Sequence, residues 1–238
     1  MKNNKQVSCY YCGKILDSPK LIAQKKFFCQ NCYSSYQNIS STKSTNFNRH
    51  ELLSRNRVHI DDPLAMTNLK KIINNQLEQI YNPLKQKLAV ICIGTDRSTG
   101  DSLGPLTGSK LSNFKLNNSI RVFGTLNSPI HATNLNNKLE SINQKYPDSF
   151  IIAIDAGLGK SNSVGSICVN EGPLKPGSGV DKKLPKVGNM HITGLVNVSG
   201  YMEYFVLQST RLSLVVKMAK IISYSLVQGI RKVYQQIK

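Results

Sequence analysis

The sequence predicts an α/β domain built around a parallel sheet, preceded by a small cysteine module. Three observations predict it. Leu88-Ala89-Val90-Ile91-Cys92-Ile93 and Phe150-Ile151-Ile152-Ala153-Ile154 are continuous apolar runs, as expected of strands buried on both faces of a sheet. Segments with apolar residues at helical spacing alternate with these runs, which is the signature of right-handed βαβ units. Four of the six cysteines fall within the first 36 of 238 residues, as two close pairs.

Residues 1–37 form the cysteine module and residues 38–57 the linker, because Asn38 to Asn48 is rich in Ser, Thr and Asn and offers little that packs. The α/β domain spans 58–238. Asp62 is placed to cap a helix with Pro63 in its first turn and Leu64, Leu69, Ile72, Ile73, Leu77 and Ile80 along one face, stopped by Pro83. A helix after Pro105, a short strand at Ile120 to Phe123 and a helix around Leu135, Leu139 and Ile142 separate the two buried strands. Val164 to Val169 and Ile192 to Val198 read as further strands, and Arg211 to Val233 as a long amphipathic helix. No internal repeat is visible.

Cys9-x-x-Cys12 and Cys29-x-x-Cys32 are separated by sixteen residues, a spacing that lets two turns bring four thiolates around one tetrahedral zinc ion. So short a segment cannot bury enough apolar surface to fold unaided, so zinc binding and folding are expected as one event. Gly13 suits the knuckle turn. Protein purified under reducing, metal-replete conditions is expected to hold one equivalent of zinc. Metal analysis showing less than about half an equivalent, or no loss after Cys29→Ser, would contradict the four-thiolate site.

Lys and Arg number 31 against 13 Asp and Glu, a net charge of +18. Such a surface attracts acidic partners through a salt-sensitive field. No stripe of interleaved basic and aromatic residues accompanies it, so a nucleic-acid partner is not favoured over a solvated Lys- and Asn-rich surface. The start of the sequence lacks the apolar stretch of a signal peptide, and no run approaches the ~18 apolar residues of a spanning segment, so a cytoplasmic protein without a membrane partner is expected.

The loop Gly94-Thr95-Asp96-Arg97-Ser98-Thr99-Gly100-Asp101-Ser102-Leu103-Gly104-Pro105 leaves one buried strand and enters a helix. Ligands of open α/β sheets bind at that edge. Asp155 directly follows the other buried strand, so Asp101 and Asp155 are expected to converge there, either as two carboxyls with divided proton affinities or around a cation. Each also reads singly as a helix cap or strand end. His191 follows the Gly177-Ser178-Gly179 loop and is aimed at the same rim, as a ligand, an acid–base group or a structural histidine. His131 is read as the start of a helix after Pro129. No G-x-x-x-x-G-K-[ST] or G-x-S-x-G pattern is present. Cys92 and Cys168 read as small buried hydrophobes. Arg97 and Arg211 are candidate clamps for an acidic group, or solvated surface charge.

The motifs Gly94 to Leu106, Ile154-Asp155-Ala156, Gly172-Pro173-Leu174-Lys175-Pro176-Gly177-Ser178-Gly179-Val180 and His191-Ile192-Thr193-Gly194 resemble the YyaC-type sporulation proteins, which are similar to germination protease and more distantly to hydrogenase maturation peptidases. The resemblance runs from about His59 to the C-terminus and excludes the cysteine module. It implies a three-layer sandwich with a mostly parallel sheet, a site at Asp101, Asp155 and His191, and a protein or peptide substrate contacted by Thr95, Asp96, Arg97, Gly177, Ser178 and Gly179. In germination protease two aspartates are thought to be essential, which match Asp101 and Asp155; in the maturation peptidases an acidic residue, an aspartate and a histidine hold nickel of the substrate, which makes a second divalent ion at Asp101, Asp155 and His191 the alternative. The activity implied is a spore endopeptidase in the cytoplasm of the sporulating cell or forespore. The competing reading is a non-catalytic sporulation protein that keeps the peptidase-like fold as a binding platform and docks on a partner through the zinc-ribbon-like cysteine module. A homo-oligomer is compatible with either.

Overall fold

A computed structural model describes residues 20–22, 26–28, 56–177, 184–200 and 202–235. The chain divides into two units, 1–48 and 49–238. In the first, β1 (Lys20–Ile22) pairs antiparallel with β2 (Lys26–Phe28). Cys9, Cys12, Cys29 and Cys32, the expected zinc ligands, lie outside the described residues.

The second unit runs β3 (Arg57–His59), α1 (Ala65–Ile80), β4 (Leu88–Cys92), α2 (Leu103–Ser112), β5 (Ile120–Phe123), α3 (Leu135–Lys145), β6 (Phe150–Gly159), β7 (Ser166–Glu171), β8 (Met190–Val198), α4 (Glu203–Gln208) and α5 (Leu212–Gln235). Six strands form one sheet in the order β3-β7-β8-β6-β4-β5. The pairs β8–β6, β6–β4 and β4–β5 are parallel, whereas β3–β7 and β7–β8 are antiparallel. The sheet is therefore mixed, parallel across β8, β6, β4 and β5 and antiparallel where β7 and β3 extend it. Only residues 160–165 join β6 to β7, too few for the crossover that a parallel strand requires.

Side-chain parity divides the core. Val90, Cys92, Ile152, Ile154, Met190 and Ile192 face α1, α2 and α5, where Leu69, Ile73, Leu77, Leu103, Leu111, Met218, Ile222 and Leu226 complete the larger cluster. Ile91, Ile93 and Ala153 face the other way, onto Leu135 and Ile142 of α3 together with Ile130, Leu174 and Val187. Helices thus flank both faces of the sheet.

α1 begins three residues beyond Asp62, whose carboxylate accepts the Leu64 amide at 2.8 Å and the Asn68 side-chain amide at 2.8 Å. Leu64 is accordingly exposed rather than part of the apolar face. At the far end of the same helix the hydroxyls of Tyr81 and Tyr234, 153 positions apart in sequence, meet at 2.8 Å. α5 is long and apolar enough to cross a membrane by length and composition, although the sequence was expected to hold no such segment. Its apolar residues are spent in the core: Val215, Met218, Ala219, Ile222 and Leu226 are all fully buried.

Candidate active site

The site is assembled at the end of β4, beside the middle of β6. The Ile93 amide donates to the Ile154 carbonyl at 2.7 Å, and Asp155 is the next residue. The strand does not stop before Asp155, as its sequence suggested: β6 continues to Gly159, and Asp155 sits within it, opposite Thr193 of β8. This places the carboxyl on the face shared with Ile91, Ile93 and Ala153, where it is buried.

Asp101 reaches the same place from the loop after β4. Gly94 adopts a φ of +139°, and a Cβ there would lie 2.0 Å from the Asp101 carbonyl oxygen, so the loop folds back directly on itself only because this residue is glycine. The Thr95 amide donates to Asp101 Oδ2 at 3.0 Å, and the Gly100 amide donates to the Leu207 carbonyl at 2.8 Å, tying the loop to α4.

Burial raises the pKa of both carboxyls. For Asp155 burial is the dominant cause, the negative charge of Asp101 adds to it, and the Ala156 amide opposes it. For Asp101 burial is countered by the Thr95 amide and by His131. Asp155 therefore senses the charge of Asp101 and is the one driven further toward its neutral form.

The remaining expected residues are distributed around this pair. Thr95 is half-buried, and its hydroxyl accepts the Arg97 amide at 3.3 Å; Asp96 and Arg97 are exposed, as is Arg211. Gly177 closes a turn with φ +67°, and Ser178 and Gly179 lie outside the described residues. His191 is the second residue of β8, in register with Ala153 rather than Asp155. It therefore lies on the sheet face of Asp155 but two residues back, about 7 Å along the strand. Its Nδ1–H donates to the Gly172 carbonyl at 2.9 Å. Among the described residues, no three His, Cys, Asp or Glu side chains are gathered as a metal-binding group.

The histidine that bears on Asp101 is His131, which sequence reasoning had assigned to a helix start. α3 begins four residues later, at Leu135, and Ile130 instead forms a parallel bridge with Ile93 that carries His131 to the edge of the sheet. Reading Asn134 as the helix cap would have been the signal for this. Cys92 is fully buried, as expected, and burial pushes its thiol up; Cys168 is half-buried.

Fold and site together define a mixed α/β domain carrying two carboxyls, Asp101 in the loop after β4 and Asp155 within the adjacent parallel strand β6. Residues 57–225 match a family described as a protein of unknown function, DUF1256, and the chain belongs to that family. It is 49% identical over 165 residues to the uncharacterized protein YyaC of Bacillus subtilis (strain 168), covering 69% of this chain and 78% of YyaC, which bears out the resemblance read from the loop motifs. A solved structure, the [NiFe] hydrogenase maturation protease HycI from Thermococcus kodakarensis KOD1, aligns with 63% of this chain and 98% of its own at 12% identity and a TM-score of 0.39.

Proposed function

We propose that this chain is a peptidase-like hydrolase of the sporulating cell, acting on a protein or peptide through Asp101 as general base and Asp155 as general acid. The observation that carries this reading is the buried carboxyl of Asp155 held beside that of Asp101, with its proton affinity raised by both burial and its neighbour's charge. Hydrolysis of a peptide bond needs one group to take a proton from water and another to deliver one to the leaving amine, and a pair with divided affinities supplies both near neutral pH. In the attack, Asp101 accepts a proton as the water oxygen bonds to the carbonyl carbon. As the C–N bond breaks, Asp155 gives its proton to the nitrogen. The resemblance to germination protease supplies the substrate class.

The test is incubation of the purified protein with small acid-soluble spore proteins, beside an Asp101→Asn/Asp155→Asn double variant. Cleavage by the wild type and its loss in the double variant is the expected result. Equal cleavage by both would assign the activity elsewhere, and binding without cleavage by either would favour the non-catalytic platform.

A further inference from the structure

The end of the sheet away from Asp101 and Asp155 holds a second concave site. A cavity of about 460 Å³ opens between the turn before β4, the start of β5 and the last turns of α5. Ile120 lines it and pairs with Leu88, the first residue of β4, so the cavity lies about 17 Å along the strands from Ile93 and the carboxyl loop. Its volume falls in the range of sites that take a ligand. The floor is apolar, because Ile120 and Ile230 are buried and Leu116 is half-buried. On the rim stands Leu84, 77% exposed, the most exposed large apolar side chain among the described residues. A built turn holds it there. Asn82 accepts the Leu84 amide on its Oδ1 at 3.1 Å, and its carbonyl accepts the Lys85 and Gln86 amides at 3.1 and 3.0 Å.

Charge decides what such a cavity can hold. Lys115 and Arg231 line it and are exposed, and no Asp or Glu lines it. Arg231 Nη2 donates to the Lys115 carbonyl at 3.3 Å, which holds the guanidinium against the loop before β5 and leaves the other donors of its fork for an anion. The Glu78 carboxylate lines an adjoining cavity that shares only Pro83 with this one, and it lies 4.0 Å from Lys232 Nζ. We propose that the cavity docks an acidic polypeptide segment, which buries a large apolar side chain against Leu84, Ile120 and Ile230 while flanking carboxylates pair with Lys115 and Arg231. A small amphiphile would leave much of the rim in water, because Leu84, Lys115 and Asn117 all stand exposed, whereas a polymer laid across the opening covers them. Nucleic acid fits less well. Its bases need open aromatic faces to stack on, and Tyr234, the one ring in the lining, is half-buried with its hydroxyl 2.8 Å from that of Tyr81. The net charge of +18 draws an acidic partner toward the molecule, and the cavity gives it a defined seat. Docking here uses neither Asp101 nor Asp155, so it stands apart from the hydrolase reading.

The test follows the fluorescence anisotropy of a labelled peptide, glutamates around a central pair of leucines, titrated with the full chain at low salt. Saturable binding is expected for the wild type and for Asp101→Asn/Asp155→Asn alike. Leu84→Ser is expected to weaken it by about 10-fold, through the apolar area the leucine no longer covers, and Lys115→Glu/Arg231→Glu by at least as much. These positions are exposed, so the variants are expected to fold; should the charge-reversed pair fail to melt cooperatively, Lys115→Gln/Arg231→Gln replaces it. Lys138→Glu/Lys160→Glu, which changes the net charge equally at exposed positions elsewhere, is expected to leave the affinity within about 2-fold. An equal loss in that control pair would overturn the proposal, because the attraction would then belong to the charge of the whole surface. Undiminished binding by Leu84→Ser, binding lost in Asp101→Asn/Asp155→Asn, or no binding to the wild type at about 1 mM protein would each overturn it as well. Displacement of the labelled peptide by oligothymidylate at lower concentrations than by the unlabelled peptide would overturn it in favour of nucleic acid.

Discussion

Asp155→Asn is expected to abolish hydrolysis while making the fold more stable at neutral pH. The variant keeps the shape of the side chain but carries no transferable proton, and loss of a positioned acid commonly slows the reaction by about 10²–10⁴-fold. The stability effect has the opposite sign. Asp155 has a folded-state pKa raised by burial and by Asp101, so the native protein retains a proton that the unfolded chain has already released. Stability contributed by such a group is complete below the ordinary carboxylate range and is lost as pH rises through the folded value. At pH 7 the wild type therefore bears a penalty that asparagine removes. Denaturant unfolding at pH 7 should show a gain beyond the ~0.5 kcal/mol typical of surface substitutions, with the difference narrowing as pH falls toward about 4. Full activity in the variant would remove Asp155 from the chemistry, and a loss of stability at pH 7 would mean that its carboxylate is better solvated than its burial implies.

Gly104→Ala should be at least as damaging to activity, by a different route. Gly104 lies in the first turn of α2 against the end of β4, and a Cβ there would sit 1.9 Å from the Ile93 carbonyl oxygen. Backbone on both sides leaves no flexible side chain to yield, so the helix must move away from the strand. The expected cost is about 3 kcal/mol, a fall in melting temperature of roughly 6–12 °C for a domain of this size. Because Asp101 is only two residues before α2, the same movement withdraws it from Asp155. A soluble, cooperatively melting Gly104→Ala protein with wild-type turnover would show that the pair tolerates displacement.

Much of this arrangement was legible in the sequence for physical reasons. A strand buried on both faces has to be apolar throughout, so β4 and β6 announced themselves, and the glycines after β4 marked a loop under close backbone constraint. What eluded reading was whatever depends on neighbours distant in sequence. β3 is three residues long and becomes a strand only by pairing with β7, so no local period betrays it. Asp155 was expected at a strand end because a charge usually terminates a buried run, whereas β8 extends the sheet past it on one side. His131 was read into the start of α3, whereas the bridge from Ile130 to Ile93 holds it at the sheet edge, four residues before that helix begins.

The hydroxyl contact between Tyr81 and Tyr234, taken with the pairing of Arg57 against Cys168, has a kinetic consequence. Both ends of the α/β domain close on partners far along the chain, and the long loops involved must lose their entropy before those contacts contribute. Local helices therefore cannot set the pace of folding. Until the late closures form, the apolar face that α1 and α5 jointly cover stays open to water, and a nascent or refolding chain at that stage is the species most exposed to aggregation.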